Sequence, residues 1–181
     1  MKKRVFISMI LTVIALAVSR PDSKAFYLAG AALMLLGQLI RLAASAAIVK
    51  SKTLTTKGPY AVVRNPLYLG TLVMTAGMML AMASAARPLL TGLLWAGVGL
   101  SFAWIYYVTI KAEEAFLRAT YGQAFEDYCR QVPAILPCCL GGFFETDAYS
   151  KEVFIKNKEW RGFSGLVAIL VILYLKLHYG Y

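Results

Sequence analysis

Residues 57–70 read KGPYAVVRNPLYLG, a polar, proline-punctuated loop that runs straight into a long apolar segment. Asn65-Pro66 marks the join. Asn is favoured just ahead of a helix, and Pro is favoured at its first position, where a missing N–H costs nothing. The stretch from Pro66 onward carries no charge until Arg87. The next apolar stretch, 88–110, is also uncharged, and just past it stands an acidic pair, Glu113 and Glu114. The loop and the acidic pair read as two halves of a site.

Composition sets the class. The chain has 181 residues, of which 60% are hydrophobic and 15% charged, with a mean hydropathy of +0.64. Uncharged runs near the length of a bilayer span read as membrane helices. Five are expected, at 5–18, 25–49, 66–86, 88–110 and 162–179; the second contains Gln38 and Arg41. They are too long and too uniformly apolar for barrel strands, which alternate. Residues 112–130 read as an amphipathic interfacial helix broken near Gly122, with Phe116, Leu117, Tyr121, Phe125 and Tyr128 at helical spacing. The expected fold is therefore all-α: a polytopic membrane bundle of five transmembrane helices plus a cytoplasmic interfacial helix, forming one integral membrane domain over 1–181.

The formal net charge of +10 would point to nucleic acid in a soluble chain. Here the positive-inside rule accounts for it, and no nucleic-acid partner is expected. Lys2, Lys3 and Arg4 precede the first segment. Lys50, Lys52, Lys57 and Arg64 lie between the second and third, and Lys111 through Arg161 supply the largest group, between the fourth and fifth. The opposite loops hold Arg20, Lys24 and Arg87, with Lys176 near the C-terminus. The N-terminus and both polar site segments are expected on the cytoplasmic side, beside anionic lipid head groups, and the C-terminus outside. MKKR, a short apolar run and Ala15-Leu16-Ala17 have the form of a secretory signal; the reading adopted is an uncleaved first helix.

The cysteines are Cys129, Cys138 and Cys139, and His178 is the single histidine. That excludes a His-based zinc site and a Ser-His or Cys-His pair, so no metal is expected. The adjacent Cys138 and Cys139 read either as acylation sites or as reduced packing residues.

The chemistry concentrates in the loop. The third segment directs a helix N-terminus, which attracts anions, toward the cytoplasmic face. Gly58 permits close backbone approach to a ligand, and Pro59 stiffens the turn. Tyr60 and Tyr68 offer rings for stacking and hydroxyls for donation. The alternative is a capped loop with interfacial aromatics. Glu114 pairs with Arg118 at i,i+4 in the plainer reading; in the functional one, a carboxylate here meets a cationic or hydroxyl-rich ligand. Gln38, Arg41 and Ser45 share one helix face. Arg41 lies about 12 Å from the cytoplasmic end of its segment, where it either lines a site or snorkels.

LTTKGPYAVVRNPLYLG followed by EEAFLRATYGQAFEDYCRQVPAILP resembles the isoprenylcysteine carboxyl methyltransferase and phospholipid methyltransferase family of integral membrane enzymes, over roughly 25–137. The helix at 162–179 lies outside this core. The resemblance implies S-adenosylmethionine as methyl donor, bound from the cytosol, and a lipophilic or prenylated acceptor that enters from the bilayer. By position, the donor site would include Lys52, Thr53, Leu54, Thr55, Gly58, Tyr60, Arg64, Asn65, Pro66, Leu67, Tyr68 and Glu113. Glu113, Glu114 and Arg41 would carry the catalytic roles. Three positions depart from the pattern: Asn65 and Lys52 stand where the family has histidine, and Thr109 stands where isoprenylcysteine enzymes have a substrate-binding arginine. Ser45 matches a family glutamine. A non-catalytic membrane scaffold and a small transporter remain the competing classes; a lipid reductase is disfavoured by the lack of a nucleotide phosphate loop.

Overall fold

The computed structural model describes residues 2–48, 53–137, 143 and 145–180. Among these the chain is all helical. The long helices are α1 (Lys2–Val18), α2 (Lys24–Ala47), α4 (Pro66–Ala81), α5 (Pro88–Tyr121) and α8 (Gly162–Tyr179). Short helices α3 (Pro59–Val62), α6 (Gln123–Gln131) and α7 (Lys151–Asn157) lie between them, with 3-10 turns at Thr146–Ala148 and Glu159–Arg161. Three stretches are long and apolar enough to cross a membrane: Lys24–Ala47, Pro88–Tyr121 and Glu159–Tyr179. Phe6–Val18 and Pro66–Ala81 are apolar but shorter. The chain is accordingly an integral membrane protein with at least these candidate spans.

Two boundaries differ from the sequence reading. The fourth segment does not end at Ile110; α5 continues to Tyr121. Lys111-Ala112-Glu113-Glu114-Ala115 are good helix formers, and a change from apolar to polar surroundings does not end a helix. The break comes at Gly122, whose φ of 52° is left-handed. Only α6 is a separate amphipathic helix. The third segment closes early, at Ala81, because the next residues make a polar turn. There the Asp22 carboxylate accepts from the Ser84 hydroxyl (2.6 Å) and from the amides of Ala85 (3.0 Å) and Ala86 (2.8 Å).

The chain forms two compact units. The first comprises Met1–Leu36, Leu72–Tyr106 and Gly162–Tyr181. In it α2 meets α4 backbone to backbone: a Cβ on Gly30 would stand 2.4 Å from the Gly77 carbonyl oxygen, and one on Gly77 would stand 2.6 Å from that of Gly30. Lys176 of α8 donates to the carbonyls of Leu16 (2.7 Å) and Ala17 (3.0 Å). These belong to the last turn of α1, where carbonyls lack helical partners. The ends that meet are both C-terminal.

The second unit comprises Gly37–Thr71 and Tyr107–Arg161. Here the α2–α4 approach recurs, since a Cβ on Gly70 would stand 2.6 Å from the Gly37 carbonyl oxygen and 2.7 Å from Cγ of Arg41. Ala44, Ala47 and Tyr60 form a buried cluster packed by Ile48, Leu67 and Tyr149. The segment 150–157 closes the C-terminal end of α2: the Ser150 amide donates to the Ala46 carbonyl (2.9 Å), and the Asn157 side chain to those of Ser45 (2.8 Å) and Ile48 (3.1 Å).

The small residues at 43–47 and at Gly92, Gly97 and Gly99 suit helix packing either within one chain or between chains. Ala44 and Ala47 pack within the chain. Gly92 and Gly97 face open space, and a Cβ on Gly99 would meet only the tip of Met79, at 3.5 Å. The tight glycine contacts are Gly30 with Gly77 and Gly37 with Gly70. Gly30→Ala is expected to destabilise the protein by ~1–3 kcal/mol through overpacking. Gly92→Ala and Gly97→Ala should leave stability unchanged or slightly raised, because Ala favours a helix. Thermal unfolding in detergent measures this, and equal midpoints for Gly30→Ala and the parent would reject the glycine contact.

Candidate functional site

The loop from Thr53 to Asn65 is held by its own polar side chains. Gly58, with a φ of 62°, opens α3. Its bare face turns to the chain rather than to open space, since an added Cβ would stand 3.0 Å from that of Ala148. Arg64 is the main tie. Its Nε and Nη2 donate to Oε1 of Glu114 at 3.1 and 2.7 Å. Its Nη1 donates to the carbonyls of Val132 (2.6 Å) and Cys129 (3.3 Å). The Arg64 and Asn65 amides donate to the carbonyls of Pro133 and Ala134, and the Asn65 side chain also donates to Ala134, at 3.1 Å. The Tyr128 hydroxyl donates to the Tyr60 carbonyl at 2.6 Å. Thus α6 and residues 132–134 are bound to the loop along its length.

These ties enclose a cavity of about 120 Å³ lined by Thr53, Leu54, Thr55, Tyr60, Arg64, Asn65 and Glu114, with Ile48, Phe116, Leu117, Tyr121, Phe125 and Tyr128. The aromatic wall from α5 and α6 includes residues the sequence had placed on a lipid interface. Their helical spacing was visible, but Phe125 and Tyr128 are buried because α6 folds back onto the loop.

The expected site residues divide in three. Thr53, Leu54, Thr55, Tyr60, Arg64 and Asn65 share the cavity with Glu114. Pro66 opens α4 as expected, and the Asn65 carbonyl accepts from the Tyr68 and Leu69 amides. The second group, Gly58, Pro66, Leu67, Tyr68 and Glu113, does not line the cavity. Tyr68 donates to Oε1 of Glu113 at 2.5 Å, an exposed contact across forty-five positions that joins loop to acidic pair. Lys52 lies outside the described residues, as do Cys138 and Cys139. Arg118 pairs with Glu126 and not with Glu114, whose carboxylate faces Arg64.

Arg41 is held on both sides by partners distant in sequence. Its Nη1 donates to Thr71 Oγ1 (2.5 Å) and the Leu67 carbonyl (3.3 Å), and its Nη2 donates to Glu159 Oε2 (2.5 Å). Gln38 donates to the Glu159 carbonyl at 3.3 Å, while its own buried oxygen has no partner among the described residues. That oxygen requires an N–H or O–H from water or a bound molecule. Glu159 was not foreseen. The one available signal was that a charge within an apolar helix needs a counter-charge, and Glu159 heads the fifth apolar segment.

Burial pushes the Tyr60 hydroxyl far above the ordinary phenol range, and nearby Tyr128, Glu113, Tyr68 and Glu159 add to the shift. It stays protonated, and among the described residues its hydroxyl has no hydrogen-bond partner. Burial likewise raises the Cys129 thiol, which suits an unreactive packing residue. Among the described residues no cluster of His, Cys, Asp and Glu could hold a metal ion.

The sequence profile described as phospholipid methyltransferase matches residues 25–124. Three curated proteins are similar over part of the chain. A cobalt-zinc-cadmium resistance protein of Cupriavidus metallidurans is 34% identical over 88 residues, 49% of this chain and 37% of that protein. A nickel-cobalt-cadmium resistance protein of Alcaligenes xylosoxydans xylosoxydans is 35% identical over 88 residues, 49% and 38% respectively. The protein-S-isoprenylcysteine O-methyltransferase of Schizosaccharomyces pombe is 30% identical over 112 residues, 61% and 44% respectively. The chain thus spans less than half the length of each of these relatives. No solved structure matches it significantly.

Arg64→Ala would leave the Glu114 carboxylate buried without its cation, at an expected cost of ~3–5 kcal/mol. Denaturation should show that loss, and amide exchange should rise first in 123–131. Unchanged exchange there would show that α6 is held by other means.

Proposed function

Because the chain belongs to the phospholipid methyltransferase family, we propose that it transfers a methyl group from S-adenosylmethionine to a lipophilic acceptor resident in the membrane. The acceptor is an isoprenylcysteine-type carboxylate or a lipid head group. The observation that carries this reading is the cavity between the 53–65 loop and α5–α6, walled by aromatic side chains, together with the exposed Glu113 carboxylate that Tyr68 holds at the end of the same loop. Aromatic rings close to an exposed carboxylate suit a ligand that carries positive charge and a flat ring system.

The fit has limits that assign roles. A cavity of about 120 Å³ falls below the ~300–1,000 Å³ of pockets that enclose a drug-sized ligand, so it takes one part of the donor. We assign that part to the aromatic wall of Tyr60, Phe116, Tyr121 and Phe125, and to the hydroxyls of Thr53 and Thr55. Glu113, held by Tyr68 outside the cavity, receives a cationic portion. Arg64 and Glu114 frame the site by satisfying each other, in preference to direct contact with the acceptor. Arg41 sits at the first turns of α4. Bound there, the donor supplies a sulfonium methyl, whose carbon–sulfur bond breaks as the acceptor heteroatom attacks in line, leaving a neutral thioether. The protein's part is alignment. A carboxylate acceptor needs no base; an amine acceptor must first lose a proton, and Glu113 or Glu114 is the proposed base.

The proposed topology has five spans, with the N-terminus and the site cytoplasmic and the C-terminus outside. The meeting of the C-terminal ends of α1 and α8 supports it, since first and fifth spans would end on the same side. So does the antiparallel course of α2 and α4, the second and third spans. At 17 and 16 residues, α1 and α4 measure about 24–26 Å, slightly short of the ~27–30 Å hydrocarbon core.

Calorimetry in nanodiscs tests the reading. S-adenosylmethionine should bind saturably, and Glu113→Ala should weaken binding at least ~tenfold, the loss of a charge-assisted contact, with an unchanged unfolding midpoint. Glu152→Gln should bind like the parent. Absence of binding to folded protein with lipid present would turn the argument to a non-catalytic scaffold.

A further inference from the structure

We propose that Glu159 is a positioning residue for the donor site: through Arg41 it fixes the first turns of α4, which carry the Asn65–Tyr68 part of that site. The inference rests on the function proposed above. It extends the site beyond the family-matched residues 25–124 into the segment that leads to α8.

The chain of contacts is short. Glu159 Oε2 accepts from Arg41 Nη2 at 2.5 Å. The other terminal nitrogen, Nη1, donates to the Leu67 carbonyl and to Thr71 Oγ1, and the Thr71 hydroxyl donates back to the Leu67 carbonyl at 3.0 Å. A guanidinium is a rigid plane, so fixing one arm fixes the direction of the other. Leu67 lies between Pro66, which opens α4, and Tyr68, which holds Glu113. The Glu159 carboxylate therefore orients the plane that orients the start of the helix. The pair is mostly buried, with side chains 25% and 19% exposed, which limits screening by salt.

Glu159 is suited to this because its backbone is held by other groups. The Gln38 amide donates to its carbonyl, and Asn157, two residues earlier, caps α2 at Ser45 and Ile48. Neutralising the Glu159 side chain leaves these bonds in place, so the segment stays docked while Arg41 loses its counter-charge. A salt bridge that served only to anchor the C-terminal helix would have no reason to reach the first turn of α4.

The test compares Glu159→Gln, Glu159→Asp and the charge exchange Arg41→Glu/Glu159→Arg in nanodiscs. Donor affinity is read by calorimetry and amide exchange by mass spectrometry. In Glu159→Gln, the dissociation constant for S-adenosylmethionine is expected to rise about tenfold or more, as small misplacements of positioning groups do. Exchange should accelerate in 66–71 but not in 24–34 or 162–179, and Glu159→Asp should recover most of both. The charge exchange should not restore protection at 66–71, because a carboxylate at 41 cannot donate to the Leu67 carbonyl. Parent-like affinity and exchange in Glu159→Gln would overturn the proposal, as would exchange raised uniformly along the chain, which marks a general structural role. If the parent protein itself binds no donor, the function proposed above fails, and exchange at 66–71 alone decides the clamp: selective acceleration upholds Arg41 and Glu159 as the device that orders α4, and its absence rejects it.

Discussion

The backbone approach of α2 to α4 is the constraint on which the site depends. At Gly30 and Gly77, which face each other, and again at Gly70 against the Gly37 backbone, no room is left for a side chain. Two antiparallel helices in such contact require the residues between them to turn back at once. Those residues are the 53–65 loop, with its glycine, proline, tyrosines and arginine. The same closeness brings Arg41, beside Gly70, within reach of Leu67 and Thr71. In hydrocarbon there is no hydrophobic force to bring helices together, and small residues that permit dense packing take its place.

Polar groups then recruit the remaining segments. Arg64 binds Glu114 and the carbonyls at 129 and 132, which holds α6 over the loop. Arg41 binds Glu159, and Asn157 closes the end of α2. In each case a charge or an orphan carbonyl in largely apolar surroundings is met by a partner distant in sequence. Such pairs add little net stability, since desolvation offsets attraction, but leaving either member alone is costly. Their effect is to permit few arrangements of the loop, α6 and the C-terminal segment, as a site that works by alignment needs.

The glycine pairs at 30 and 77 and at 37 and 70 show why the tertiary contacts escaped sequence reading. Glycines at 92, 97 and 99 are as conspicuous as those at 30 and 70, yet two of the three face open space. Small size allows close packing but does not name a partner. The acidic pair shows the same limit. Glu113 and Glu114 are adjacent, but successive helix positions point about 100° apart, so one meets Tyr68 at the surface and the other meets buried Arg64.

Local chemistry, legible residue by residue, determined much of this protein. Apolar run length marks the membrane helices, Asn65-Pro66 marks the start of α4, and the loop motif with the acidic pair places the chain in its family. Gln38, Arg41 and Ser45 follow from helical period as one inward face. Only the tertiary structure decided which charge answers which: Arg64 with Glu114, Arg118 with Glu126, and Arg41 with a glutamate beyond the family core. Helix formation depends on neighbours within a few positions, so it can be read along the chain. The pairing of buried charges depends on which surfaces are dehydrated together, and that is defined only once the helices have packed.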